Sequence, residues 1–300
     1  MKDKIFVIAN PQAGSMKQDQ FEEQLERTFR DSNSNYELHY SQKDEDLAQT
    51  VRNAVQNGYR LIVAAGGDGT VSQVANGLQD RETPLAILPS GTGNVLAQEL
   101  DIPLQTEEAL QLLTNYHRLR QVDGMQVGDH IYLLHIGIGL TSATMESTEQ
   151  DSKRRFGNMA YLWQGVKRLV GWQPETFRLE IDGRKVTAQA VEIGVTNART
   201  AGSKPLSWGE DVSMDDGQVR VCIIRAKSIL DYVGTLWDLA LGNTKRSRHI
   251  RCFDAQERIQ IEAQRKLPVQ ADGEMIGETP VEIRVVPQAV RIVVPDNQVE

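Results

Sequence analysis

Three times in the first third of the chain, a short apolar run ends in a glycine-containing turn and then passes into a helical pattern. Leu61-Ile62-Val63-Ala64-Ala65 runs into Gly66-Gly67-Asp68-Gly69-Thr70-Val71, and Leu85-Ala86-Ile87-Leu88 runs into Pro89-Ser90-Gly91-Thr92-Gly93-Asn94. Ile5-Phe6-Val7-Ile8-Ala9 ends in the same way at Asn10-Pro11-Gln12-Ala13-Gly14-Ser15. Apolar strands alternating with helices imply βαβ units and a parallel sheet covered on both faces. Phe21, Leu25 and Phe29 supply one helical stripe; Leu47, Val51, Ala54 and Val55 supply another, stopped by Gly58.

After Asp123 the pattern changes to short alternating segments with Gly128-Asp129 and Asp182-Gly183 where hairpins turn. Helical patterns interrupt it at Asn158 to Val170 and Ile229 to Leu241. The expected fold is an α/β N-terminal domain with a parallel sheet, residues 1–124, followed by a mainly antiparallel β-sandwich domain, residues 125–300. The last strands, Val281 to Val286 and Val290 to Val294, are free to cross back to the first domain.

Neighbouring parallel strands bring their turns to the carboxyl edge of one sheet, where α/β folds bind ligands. Glycines let a ligand approach the backbone, and N–H groups at a helix start favour phosphate. Asp68 adds a carboxylate able to hold Mg²⁺ or orient a hydroxyl. Taken alone, each turn reads equally as a plain strand-to-helix connection. None matches a Walker A loop or a dinucleotide-binding glycine fingerprint.

A formal net charge of −8 over 300 residues argues against a general nucleic-acid binder. Lys153-Arg154-Arg155 and Lys245 to Arg251 are basic clusters suited to an anionic lipid surface or to a solvated loop. No stretch has the apolar length to span a bilayer. Cys222 and Cys252 form neither a disulfide framework nor a metal spacing, which suits a reducing cytoplasm. The five histidines read as structural or surface residues, and Trp163, Trp172 and Trp237 as core positions of second-domain helices.

The chain resembles the diacylglycerol kinase catalytic-domain family, whose relatives include bacterial soluble lipid kinases, sphingosine kinases and NAD kinases. The resemblance rests on Asn10 to Gly14, Gly66 to Thr70, Pro89 to Asn94, Lys153 to Tyr161, Asp215-Asp216-Gly217 and Asp272-Gly273-Glu274. It implies ATP in an interdomain cleft, with Asn10, Ser41, Gly66, Gly67, Asp68, Gly69, Thr70, Val71, Ser90, Gly91, Thr92 and Asn94 around the nucleotide. Glu99 is implied near the base or ribose. Asp68 is implied in the network around a catalytic Mg²⁺, and Asp272 with Glu274 as source of the base for a hydroxyl acceptor.

A structural Mg²⁺ is implied at Asp216 with the carbonyls of Val219 and Val221. The implied activity is ATP-dependent phosphorylation of a lipid such as diacylglycerol, by a cytoplasmic protein that visits the inner membrane face and is compatible with a homodimer. An NAD kinase or other small-molecule kinase is the alternative, and a catalytically silent nucleotide-binding regulator a third. Asn94-Val95 departs from the Asn-Asp of many relatives, and Ala201 to Trp208 departs from their Gly-Gly and Pro-x-Ala pattern.

Overall fold

A computed structural model describes residues 4–14, 17–32, 35–78, 80–114, 117–140, 142, 174–201, 206–226 and 228–296. The chain divides into two compact units, residues 1–123 with 288–300, and residues 124–287.

In the first unit, β1 (Lys4–Ala9), β2 (Asn35–Tyr40), β3 (Leu61–Gly66) and β4 (Leu85–Pro89) form a parallel sheet in the order β2-β1-β3-β4. Val7, Ile8, Ile62, Val63 and Leu85 are completely buried, as strands covered on both faces require. Helix α1 (Gln18–Ser32) buries Phe21, Leu25 and Phe29, one residue per turn along a single face. Helix α2 (Leu47–Gln56) starts where Asp46 accepts the Gln49 N–H and buries Leu47, Val51 and Ala54. Helices α3 (Asp68–Gly77), α4 (Val95–Glu99) and α5 (Thr106–Gln111) follow. At the end of α3, a Cβ on Gly77 would stand 2.4 Å from the Val51 side chain, so only glycine lets α3 pack this closely on α2.

The second unit is built from antiparallel strands. β7 (His135–Gly139), β10 (Glu192–Thr196), β11 (Val219–Ile224), β12 (Ile250–Ala255), β14 (Pro268–Ala271) and β15 (Glu274–Glu278) form one sheet, ordered β12-β11-β10-β7-β14-β15. β8 (Glu175–Ile181), β9 (Arg184–Ala190), β13 (Arg258–Ala263) and residues 281–284 of β16 (Val281–Pro295) form a second face, beside the hairpin of β5 (His117–Val127) and β6 (His130–Tyr132). Ile136, Ile138, Val195 and Val221 from one side pack with Phe177, Leu179, Ile261 and Ile283 from the other in a single buried cluster, which makes this a β-sandwich. The expected Asn158 to Val170 helix, Lys153 to Tyr161, Trp163 and Trp172 lie outside the described residues. Among the described residues, no helix is long and apolar enough to cross a membrane.

Several expectations need correction. The final two strands are one: β16 runs unbroken through Pro287, and its far half, with Ile292 opposite Leu85, belongs to the first unit. Cys222 and Cys252 are disulfide-bonded, because the register of β11 and β12 sets them opposite each other, 30 residues apart in sequence. Spacing alone could not reveal that register, and the bond removes the premise on which a reducing compartment was expected. Trp237, expected in the core, is 67% exposed on α6 (Ile229–Ala240).

Candidate functional site

Strand β3 lies between β1 and β4, so the turn after it is flanked by the two other glycine turns. Backbone bonds carry the ladder past the strand ends: Ser41 N–H to the Ala9 carbonyl (2.9 Å), Asn10 to Ala65 (2.9 Å), and Ser90 to Gly66 (3.0 Å). These bonds gather Ser41, Asn10, Gly66 and Ser90 at one sheet edge.

The turns touch because they carry glycine. A Cβ on Gly91 would lie 2.5 Å from the Gly67 Cα, and one on Gly14 would lie 2.0 Å from the Ser90 carbonyl oxygen. Gly14 also holds φ +63°, a region that side chains disfavour. Gly66 leaves room for Thr70 to fold back, with its Cβ 2.5 Å from where a Gly66 Cβ would be. The Thr70 hydroxyl accepts from the Asn10 side-chain amide at 3.2 Å, and the Asn10 side-chain oxygen Oδ1 accepts the Gln12 N–H, so Asn10 pins the first turn to the second.

Helix α3 begins after Gly67 with no capping side chain. Asp68 and Thr70, the caps that a purely structural turn would use, are directed elsewhere. The first-turn N–H groups therefore present the partial positive charge of a helix start. Asp68 crosses to the next turn, where its Oδ1 accepts the Leu96 N–H at 3.2 Å and so caps α4 from outside. Asn94, at φ 49°, closes its own loop by accepting from the Gly91 N–H (2.9 Å) and donating to the Gly91 carbonyl (2.8 Å). Ser90 Oγ is buried and has no hydrogen-bond partner. An orphaned hydroxyl beside an uncapped helix start fits a phosphate-bearing ligand. Thr92 is exposed, Glu99 is half-buried, and Val71 is buried with its N–H spent on the Gly67 carbonyl.

In the second unit, Asp272 and Gly273 turn the hairpin between β14 and β15, with φ 46° and 89°. The Asp272 carboxylate accepts three backbone N–H groups: Leu133 on Oδ2 at 2.8 Å, and Leu134 and His135 on Oδ1 at 3.1 and 2.8 Å. Asp182 does the same in the β8–β9 hairpin. It also has φ 46°, with Gln256 on Oδ2 at 2.7 Å and Glu257 and Arg258 on Oδ1 at 3.0 and 2.8 Å. Partial burial raises the Asp182 carboxyl, but the three N–H donors outweigh it and hold the group below its ordinary value. Glu274 is exposed at the start of β15. Its charge reaches the buried Tyr132, whose phenol is pushed up to about 12 by burial and then by the Glu274 and Asp272 carboxylates.

His135 was missed as part of this neighbourhood. Its ring stacks on Trp208, its Nδ1 is buried without a partner, and burial lowers it to about 4, so it is neutral near pH 7. Only the register beside the Asp272 turn marks it. Asp216 sits in an exposed turn with its carboxylate accepting the Gln218 N–H, while Val219 and Val221 are buried on β11 and Val221 is paired on both sides. Among the described residues, no three potential metal-ligating side chains cluster.

Residues 4–127 match the model of the diacylglycerol kinase catalytic domain, and residues 135–294 match that of the YegS C-terminal NAD kinase β-sandwich-like domain. The chain belongs to the diacylglycerol kinase catalytic-domain family. Relatives agree with this membership. A Pseudomonas aeruginosa protein named "Probable lipid kinase YegS-like" is 32% identical over 84% of this chain and 82% of its own length. An uncharacterized Synechocystis protein is 28% identical over 86% of this chain, which spans 61% of that longer protein. The crystal structure of a diacylglycerol kinase from Bacillus anthracis superposes with a TM-score of 0.80 at 24% identity, covering 99% of each chain, and shows the shared fold. Kinase-family membership makes the chain a phosphotransferase by family and implies a nucleoside triphosphate and a divalent metal.

Proposed function

We propose that the protein transfers the γ-phosphate of ATP to a hydroxyl of a lipid such as diacylglycerol. The observation that carries the reading is the uncapped start of α3, flanked by the two other glycine turns, with the unpartnered Ser90 hydroxyl at the same sheet edge. The N–H groups of Asp68 to Thr70 and the Ser90 hydroxyl hold the phosphates, while Asn10, Ser41 and Thr92 border the nucleotide. The second oxygen of Asp68 is the anionic ligand at that edge. Bound Mg²⁺ would neutralise charge on the phosphate oxygens, completing its shell with waters.

Glu274 is the residue we assign to receive the proton, because both Asp272 oxygens are committed to backbone donors. Asp272 positions the 133–135 segment and the hairpin carrying Glu274. As the bond from the acceptor oxygen to phosphorus forms, the bond between the γ-phosphorus and its bridging oxygen breaks. The hydroxyl proton passes to the Glu274 carboxylate and ADP leaves. The main contribution of such a site is positioning and charge stabilisation.

The test supplies γ-labelled ATP and Mg²⁺ to a bacterial lipid extract and, separately, to NAD, with wild type beside Glu274→Gln. Label in lipid with wild type alone supports the proposal. Label in NADP favours the small-molecule kinase, and tight ATP binding with silence toward every acceptor favours a regulator.

A further inference from the structure

Helix α6 has two apolar faces where an ordinary surface helix has one. Leu239 and Thr235 are buried against the second unit. On the opposite side, Leu230, Val233, Trp237 and Leu241 stand 82%, 52%, 67% and 61% exposed. Their spacing of three, four and four residues aligns them in one stripe. Asp231 and Asp238 fall outside this stripe, so no charge interrupts it.

The chain leaves α6 directly into a cationic hollow. Thr244–Arg246 form a single 3₁₀ turn immediately beyond it, and the Arg225 N–H bonds the His249 carbonyl, folding residues 245–251 back beside the helix. A pocket of about 450 Å³ there has Arg220, Arg225, Lys245, Arg248 and Arg251 in its lining, with Asp254 as the lining carboxylate. Asp211 and Asp254 pair with Arg220, and Asp211 also with Lys245. No other carboxylate among the described residues pairs with Arg225, Arg248 or Arg251. The Arg220 side chain is only 8% exposed, and its Nη1 is buried without a hydrogen-bond partner. This concentration of positive charge belongs to a chain of net charge −8.

We infer that α6 and the 245–251 hollow form one docking surface for an anionic phospholipid bilayer, the Trp237 stripe entering the acyl boundary while the arginines engage lipid phosphates. An apolar helix face beside clustered cations is the chemistry that such an interface rewards, and tryptophan favours its depth. A zwitterionic bilayer offers phosphates but no net negative surface potential to draw and hold the cluster of cations. A second copy docked through this same face would set its own arginines against these and gain only the apolar half of the match. The inference gives the lipid-kinase reading its route to substrate, but its test needs no phosphoryl transfer.

The experiment is co-sedimentation of the full chain, without ATP, with vesicles of phosphatidylcholine alone or mixed with phosphatidylglycerol. Wild type binds the mixed vesicles and is released by added salt. Trp237→Ser weakens binding about tenfold while Trp237→Phe retains it, and Arg248→Glu with Arg251→Glu weakens it at least about tenfold on anionic vesicles. Equal binding to both vesicle types, or unchanged binding by Trp237→Ser, overturns the inference. So does a dimer that Trp237→Ser converts to monomer when neither form binds vesicles, since the stripe would then join two copies. Phosphoryl transfer to a water-soluble short-chain acceptor is measured in parallel, so that failure of docking and failure of the kinase reading are told apart.

Discussion

Asp272 and Asp182 provide an internal control for deciding which carboxylate is the base. In each, one oxygen accepts one N–H and the other accepts two. Asparagine keeps one acceptor oxygen but turns its NH₂ toward a backbone donor, losing a charge-assisted bond and leaving that N–H opposed. At half-buried Asp272 the loss is about 2–3 kcal/mol; at the more exposed Asp182 solvent screening reduces it to about 1–2 kcal/mol. In a unit of this size each kcal/mol lowers Tm by roughly 2–4 °C. Asp272→Asn therefore melts roughly 4–12 °C below wild type, Asp182→Asn somewhat less, and Glu274→Gln within about 1 °C, as exposed substitutions do.

Calorimetry of the three variants is paired with kcat measured well below each Tm. Glu274→Gln should lose about 10²–10⁴-fold in kcat, the usual contribution of a general base. Asp182→Asn should keep its kcat, and Asp272→Asn should recover much of its lost activity on cooling, as the hairpin is restored. An Asp272→Asn protein that melts like wild type yet is inactive at every temperature, or an active Glu274→Gln, refutes the assignment.

Gly91→Ala places a Cβ 2.5 Å from the Gly67 Cα, so nucleotide affinity measured by calorimetric titration should fall at least about tenfold, whereas Gly183→Ala, which meets nothing within 4 Å, changes only stability. His135, lowered to about 4 in the folded unit against its ordinary 6.5, binds fewer protons folded than unfolded between those values. Stability is therefore complete above pH 6.5, declines as pH falls toward 4, and levels below it; denaturant titrations should show a decline of up to about 3 kcal/mol. His135→Phe should flatten that segment, and an unchanged slope removes the explanation. If Asp216 with the Val219 and Val221 carbonyls holds a structural Mg²⁺, chelation lowers the Tm of wild type and leaves Asp216→Asn unmoved; equal melting of wild type with and without chelator removes the metal.

What was legible in the sequence follows from which forces are local. β1, β3 and β4 announce themselves as unbroken apolar runs because both faces are covered, and the glycine turns do so because close backbone approach excludes other residues. Trp237 misled because an apolar residue in a helical pattern is read as core; the period locates a face but not what covers it. The last stretch read as two strands, Val281 to Val286 and Val290 to Val294, yet β16 continues unbroken through Pro287. The disulfide depends on register between strands, which no local pattern encodes.

The two Asp-Gly hairpins mark where local reading of the site ends. The dipeptide correctly announces a tight turn at both positions, and the same left-handed aspartate with the same three-donor clasp results. Nothing in Asp182-Gly183 or Asp272-Gly273 separates a brace from a catalyst, because the clasp is made by residues 74 to 76 positions away in one case and 137 to 139 in the other. The difference lies one residue further on: Arg184 follows the first turn and Glu274 the second. A duplicated brace that carries a carboxylate in only one copy points to that carboxylate, rather than to the brace, as the group free to exchange a proton.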